Sequence, residues 1–354
     1  MTQLRAVNIP TFITNNTTAN DITSAGGNFG NIIFWHAVYK YLKDAEYTGI
    51  HPTWPRAEAL STETQPEKYF DIQANLIDER ANHTSLEQIR YNIDVVRNIN
   101  AKENHLLSIG AQHPGFNNME LSDIFKDTLA EYLSLFKTIN LRGDFTRQVL
   151  LHNNINHPSI TVNGCPSAYL LKDFSPGING YPTLYNEPKI YRPILDTETS
   201  KIIFNSPTNS IQAADESYMW DWMHNLVEYD GIEILSQVPN ETETLPIPTS
   251  FYNWVSILSN CDFVIGSRIH GSIMALAVNK PCLCIAIDSR TLELCKKLSV
   301  PYVDYTKSHI REQLKSIHTK NDLVNYINAN VRIDVEKIKS TGKVMESYLM
   351  SIIN

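Results

Sequence analysis

In this chain of 354 residues, the side chains best equipped for chemistry are Arg268 and His270, in the run Gly266-Ser267-Arg268-Ile269-His270-Gly271. A guanidinium is a permanent cation whose fork matches carboxylate and phosphate oxygens, and an imidazole moves protons near neutral pH. Such a pair suits an anionic substrate that must gain or lose a proton. Cys261–Ile265 before the turn reads as a buried strand, and Ser272–Val278 after it is an apolar stretch of helix length. The pair therefore sits at the carboxyl end of a strand and faces a helix N-terminus. Open α/β sheets bind ligands at that edge, and free N–H groups with the helix dipole favour anions there. The flanking glycines let another group approach the backbone.

Other segments of the same kind accompany it. Gly26-Gly27-Asn28-Phe29-Gly30-Asn31 opens the first long helix, and Asn28 and Asn31 are uncharged groups able to bond sugar hydroxyls. The run lacks the G-x-G-x-x-G spacing of a dinucleotide site. Ile139-Asn140-Leu141-Arg142-Gly143-Asp144 is a strand end entering a helix, where Arg142 can face an anion or simply accompany Asp144 at the surface. Gly110-Ala111-Gln112-His113-Pro114-Gly115 is a strand-end loop whose Gln112 and His113 either line a cleft or form a plain polar loop. Asp288-Ser289-Arg290 follows the strand after the Arg/His turn and adds a third cation near one edge. Thr161-Val162-Asn163-Gly164-Cys165-Pro166-Ser167 is a turn entering a helix. No histidine lies near Cys165 in sequence, so it reads as a buried structural thiol rather than a nucleophile. Glu241 and Glu243 read as solvated charges.

The elements that must position these residues alternate. Phe29 to Lys43 has helical apolar spacing, His105–Ile109 is a strand, Glu120 to Phe136 a helix, Thr138–Leu141 a strand, Phe145–His152 a helix and Ser159–Val162 a strand. A stretch rich in Pro, Gly and Tyr from Asp173 to Ser200 breaks the pattern. It restarts with strand Lys201–Asn205, helix Asp215–Tyr229, strand Ile232–Ser236, helix Thr249–Ser259, strand Asp262–Ile265, and strands at Cys282–Ile287 and Pro301–Val303. From Lys307 the chain is helical and polar. Strand–helix alternation implies parallel sheets, and the length allows two cores. The expectation is an α/β protein of two Rossmann-like doubly wound domains, 1–185 and 186–330, facing across a cleft, with a helical tail, 331–354.

Composition narrows the function. The net charge of −8 supplies no basic surface for nucleic acid. The five cysteines, odd in number and scattered, fit reduced thiols in a cytoplasmic protein, and no His or Cys set has zinc spacing, so no metal is expected. The N-terminus shows no secretory pattern, and no apolar run reaches transmembrane length.

In their order, Gly27-Asn28-Phe29-Gly30-Asn31, Leu141-Arg142-Gly143-Asp144, Val162-Asn163-Gly164-Cys165-Pro166-Ser167 and Gly266-Ser267-Arg268-Ile269-His270-Gly271 resemble the polysaccharide pyruvyl transferase family over about residues 20 to 305. Asn31 stands where the family usually has Asp, and Arg290 where it often has Lys. The resemblance implies a GT-B-like fold, phosphoenolpyruvate as co-substrate with no other cofactor, and pyruvate placed as a ketal on two hydroxyls of a glycan or lipid-linked saccharide, in cell-surface polysaccharide synthesis. Arg142, Arg268, Ile269, Gly271, Ser272 and Arg290 would hold the donor. His270 would act as acid/base with Arg268 beside it. Asn28, Gly30, Asn31, Gln112 and His113 would hold the acceptor. A GT-B glycosyltransferase with a nucleotide-sugar donor, or a non-catalytic binding relative, asks for much the same turn. The tail either crosses back to the first domain or serves association with a membrane-bound partner; the protein is expected to be cytoplasmic or peripheral at the inner face of the membrane, and its oligomeric state stays open.

Overall fold

The computed structural model of the protein describes residues 5–7, 30–42, 65–73, 76–78, 82–113, 119–176, 190–205, 214–236, 248 and 250–353. Two five-stranded sheets, parallel throughout, organise it. The first contains β1 (Arg5–Val7), β2 (Lys68–Ile72), β3 (Glu103–Ile109), β4 (Thr138–Leu141) and β5 (Ile160–Val162), in that spatial order. The second contains β6 (Ile202–Asn205), β7 (Ile232–Leu235), β8 (Phe263–Gly266), β9 (Cys282–Ala286) and β10 (Tyr302–Asp304), in the order β7-β6-β8-β9-β10. Among the described strands the first sheet runs in chain order, and the reversal of direction lies in the second, between β6 and β8.

Sheets covered on both faces need apolar residues on both faces, and the strands supply them. In β3, Leu106 faces a core built with α2 (Asn82–Ile99), α3 (Asp123–Ser134) and α4 (Asp144–His152), whereas Leu107 faces the opposite side. That opposite side is continuous with the second sheet. Its apolar residues come from α1 (Gly30–Leu42), the 3₁₀ helix Pro166–Asp173, α7 (Ile269–Ala277) and α11 (Val335–Ile353). The helix α7 is enclosed on every side, with Ile269 to Leu276 all buried, and apart from His270 and Ser272 its residues are apolar or glycine.

The second half is completed by α5 (Ala214–Val227), α6 (Phe251–Ser259), α8 (Ser289–Leu298), α9 (Ser308–Lys315) and α10 (Lys320–Asn330). A capping box between Thr319 and Asp322 starts α10. Ile333–Asp334 then pairs antiparallel with Ile190–Tyr191, a short ladder that the sequence pattern did not predict. Beyond it, α11 runs back onto the first half. Gly342 makes this approach possible, because a Cβ there would stand 2.3 Å from the backbone nitrogen of Lys172. Lys172 pairs with Glu346, and Lys68 Nζ donates to the Ile352 carbonyl at 3.0 Å. The crossing back to the first half, one of the two readings of the tail, is seen. Among the described residues no helix is long and apolar enough to cross a membrane.

Candidate active site

The carboxyl ends of β6 and β8 flank the point where strand order reverses, the position at which open α/β sheets form a crevice. Gly266 ends β8 in register with Asn205 at the end of β6. A Cβ on Gly266 would stand 2.1 Å from the Asn205 backbone oxygen, so this position admits only glycine. The Asn205 amide donates to the Arg268 carbonyl at 3.3 Å and ties the turn to β6. Arg268 caps α7 with extended backbone, and its carbonyl accepts from the N–H groups of Gly271 at 3.0 Å and Ser272 at 3.4 Å. The Gly271 and Ser272 N–H groups already serve the helix, and the Ile269 side chain is buried in the core. The N–H groups that α7 can offer an anion are those of Ile269 and His270.

Arg142 enters from the end of β4 and is 1% exposed, a full guanidinium inside the protein. Its Nε donates to the Ser108 carbonyl at 3.1 Å and to the Ser108 hydroxyl at 3.0 Å. Ser108 presents both groups from a left-handed backbone, with φ of 70°. Among the described residues Arg142 Nη2 is buried without a hydrogen-bond partner. Burial lowers the Arg142 pKa, opposed by the nearby Cys165 and reinforced by the like charge of Arg290. A buried cation with an unmade hydrogen bond is costly, and a bound anion would supply what is missing.

His270 stands at the centre of this cluster. Burial first, then Arg142, Arg290 and Arg268, hold its pKa well below the usual imidazole value. The free site therefore keeps His270 neutral, which revises the expectation of an imidazole titrating near neutral pH. Phe34 of α1 packs against its ring, with centroids 5.6 Å apart. The sulfur of Cys165 lies 3.7 Å from its Nε2. That contact is invisible in the sequence, where 105 residues separate the two. Cys165 is placed by the Asn163-Gly164 turn, Gly164 having φ of +91°. The buried Asn140 side chain braces that turn, donating to the Gly164 carbonyl at 2.8 Å and accepting from Asn163 N–H at 2.9 Å. Ser167, on the first turn of the 3₁₀ helix, is fully buried with its hydroxyl unpartnered among the described residues.

A polar seam joins the two halves beside this cluster. Gln112 Nε2 donates to Asp288 at 3.1 Å, His113 N–H donates to the Ser289 hydroxyl at 2.8 Å, and Ser289 N–H donates to the His113 carbonyl at 3.0 Å. Gln112 and His113 thus fasten the first turn of α8, which carries Arg290, to the first half, where Gln112 pairs with Asp78 in a short two-stranded ladder. They were expected to line an acceptor pocket, and the structure shows this joining role for the Gln112 side chain and the His113 backbone. Glu293 of α8 accepts from Thr146 N–H at 3.0 Å and from its hydroxyl at 2.7 Å, over the N-terminus of α4. Gly143 is small for this reason, since a Cβ there would stand 2.6 Å from a Glu293 oxygen.

Of the other expected acceptor residues, Gly30 is buried as the first residue of α1 and Asn31 is half-buried after it. Asn28, with Glu241 and Glu243, lies outside the described residues. Sequence reasoning missed Ser108, Asn140 and Glu293 as parts of the site. Ser108 and Glu293 follow no motif, while Asn140 precedes Arg142 by two and shares its strand end.

A family model described as polysaccharide pyruvyl transferase matches residues 28–289. No curated protein matches the chain. Solved structures similar to it include the UDP-GlcNAc 2-epimerase of Methanocaldococcus jannaschii in complex with UDP-GlcNAc and UDP, at 8% identity and TM-score 0.48, covering 98% of this chain and 99% of that one. Another is the UDP-N-acetylglucosamine 2-epimerase of Rickettsia bellii, at 12% identity and TM-score 0.48, covering 99% of this chain and 96% of that one.

Proposed function

The chain belongs to the polysaccharide pyruvyl transferase family, and on that premise we propose that it takes pyruvate from phosphoenolpyruvate and sets it as a ketal across two hydroxyls of a glycan destined for the cell surface. The enzyme is a transferase, and its family implies a glycan acceptor. The donor, the acceptor's attachment to a lipid at the inner face of a membrane, and the residue roles below belong to the proposal.

The observation that carries the reading is the gathering of Arg142, Arg268 and Arg290 around a neutral His270, with Arg142 Nη2 lacking a partner among the described residues. Phosphoenolpyruvate bears a carboxylate and a phosphate, and guanidinium forks match both. The N–H groups at the start of α7 add to that anion site. The reaction then moves two protons. The enol carbon C3 gains one, which makes C2 electrophilic, and the first sugar hydroxyl loses one as it attacks C2. The second hydroxyl displaces phosphate, and its proton leaves with that phosphate. The arginines stabilise the departing negative charge, and His270 handles the proton at C3 and at the first hydroxyl.

Calorimetric titration with phosphoenolpyruvate tests the donor. Saturable binding that weakens when Arg142 or Arg268 is replaced by Met is expected. Binding of a nucleoside diphosphate in its place would overturn the reading.

A further inference from the structure

A single neutral imidazole faces a difficulty at this site. It must give a proton to carbon, yet burial and three arginines oppose the cationic form that an acid would ordinarily use. The contact between Cys165 and His270 resolves it. We propose that Cys165 is the proton reservoir behind His270, its S–H donating to Nε2 so that the neutral ring carries its own proton on Nδ1, the nitrogen left for the substrate. This rests on the pyruvyl-transfer reading of the same site.

Three observations support the arrangement. The sulfur and Nε2 are 3.7 Å apart, within reach of an S–H···N hydrogen bond, and both side chains are buried. A thiol is a weak donor and sulfur a weak acceptor, whereas a bare imidazole nitrogen accepts well, so the proton belongs on sulfur and points at Nε2. Arg142, nine-tenths buried and more, keeps Nη2 unpartnered among the described residues; burial lowers its pKa, and the nearby Cys165 is the largest influence opposing that fall. A thiolate formed in the reaction would therefore meet a cation already in place.

The steps balance. The Nδ1–H bond breaks as the C3–H bond forms, while S–H breaks and Nε2–H forms. The ring stays neutral throughout, and the transient charge is a thiolate beside Arg142. When the first hydroxyl attacks C2, Nδ1 takes its proton and Nε2–H returns one to sulfur. Cys165 and His270 end as they began, and the hydroxyl proton has in effect become the third hydrogen of the pyruvyl methyl group. The second hydroxyl's proton leaves with phosphate. No oxidant or further reactant is needed. Cys165 acts through His270 and is a positioning and relay residue, not one that touches substrate.

The test is nitrogen NMR on protein carrying ¹⁵N-histidine, with the His270 signals identified by their loss in His270→Asn. The wild-type protein should show the Nδ1-protonated tautomer, and Cys165→Ala should lose that preference. An Nε2-protonated ring in the wild type, or an unchanged ring in Cys165→Ala, overturns the inference. Because the wild-type spectrum alone can contradict it, a variant that failed to fold would not shelter it. On turnover, Cys165→Ala should lower kcat by about 100-fold, the scale of one proton-transfer step, without raising KM for phosphoenolpyruvate. Full turnover in Cys165→Ala overturns the relay while leaving the donor intact. Failure of the pyruvyl reading would appear separately, as absent phosphate release by the wild type.

Discussion

Glu293 and Thr146 hold the two halves together one turn away from Arg142: the carboxylate of α8 takes both the N–H and the hydroxyl of Thr146, at 3.0 and 2.7 Å. The Thr146 hydroxyl in turn accepts from Ala111 N–H at 2.9 Å. One carboxylate from the second half thereby fixes the start of α4, two residues beyond Arg142, and the end of β3, the strand that carries Ser108.

Burial pushes the Glu293 carboxyl up to about 7, against the hydrogen bonds of Thr146 and the charge of Arg142. An acid whose pKa is raised on folding stabilises fully below its unfolded value and loses that contribution as pH rises through the folded one. Between about pH 5 and about pH 8 the wild type should therefore lose stability relative to Glu293→Gln, by roughly 3 kcal/mol at most. Denaturant unfolding at both pH values measures this, and parallel behaviour of the two proteins would refute it.

Gly143→Ala should cost about 1 to 3 kcal/mol, because the new methyl must displace Glu293. In a Glu293→Ala background the same change should cost far less. A double-mutant cycle on thermal unfolding checks the coupling, and additive effects would contradict the close approach.

Arg142→Met should separate stability from binding. It removes a buried cation with an unmade hydrogen bond together with the two bonds from Nε to Ser108, and because these effects oppose each other the melting temperature should change little. Phosphoenolpyruvate affinity should fall by at least about tenfold, the worth of one charged hydrogen bond. Unchanged affinity would remove Arg142 from the donor site.

With His270 kept neutral by burial and its arginines, the acid limb of kcat/KM should lie below the ordinary imidazole range. Arg290→Met lifts one of those charges, so the limb should move toward neutral pH. A limb that stays in place would show that Arg290 does not face His270.

Much of this was legible in the sequence because it is local. Strand ends entering helices announce themselves by apolar runs closed with Gly, and Arg142, Arg268 and His270 stand at such ends. The parallel sheets follow from the same alternation. What stayed hidden depends on contacts across the chain. Nothing near Gly143 says that Glu293 will fill the space above it, and nothing near Cys165 says that His270 will face it. Gln112 and His113 sit at the expected edge, but which partner claims a polar loop is set by tertiary packing: here it is the first turn of α8.

The most direct measurement is the fate of the donor. Incubation of the protein with phosphoenolpyruvate and a synthetic glycoside bearing a free diol should release inorganic phosphate and give a product heavier by pyruvate less one water, and His270→Ala should abolish both. Consumption of a nucleotide sugar with release of its nucleotide, and phosphoenolpyruvate left untouched, would contradict the assignment of the Arg142–Arg268–His270 cluster as a pyruvyl-transfer site.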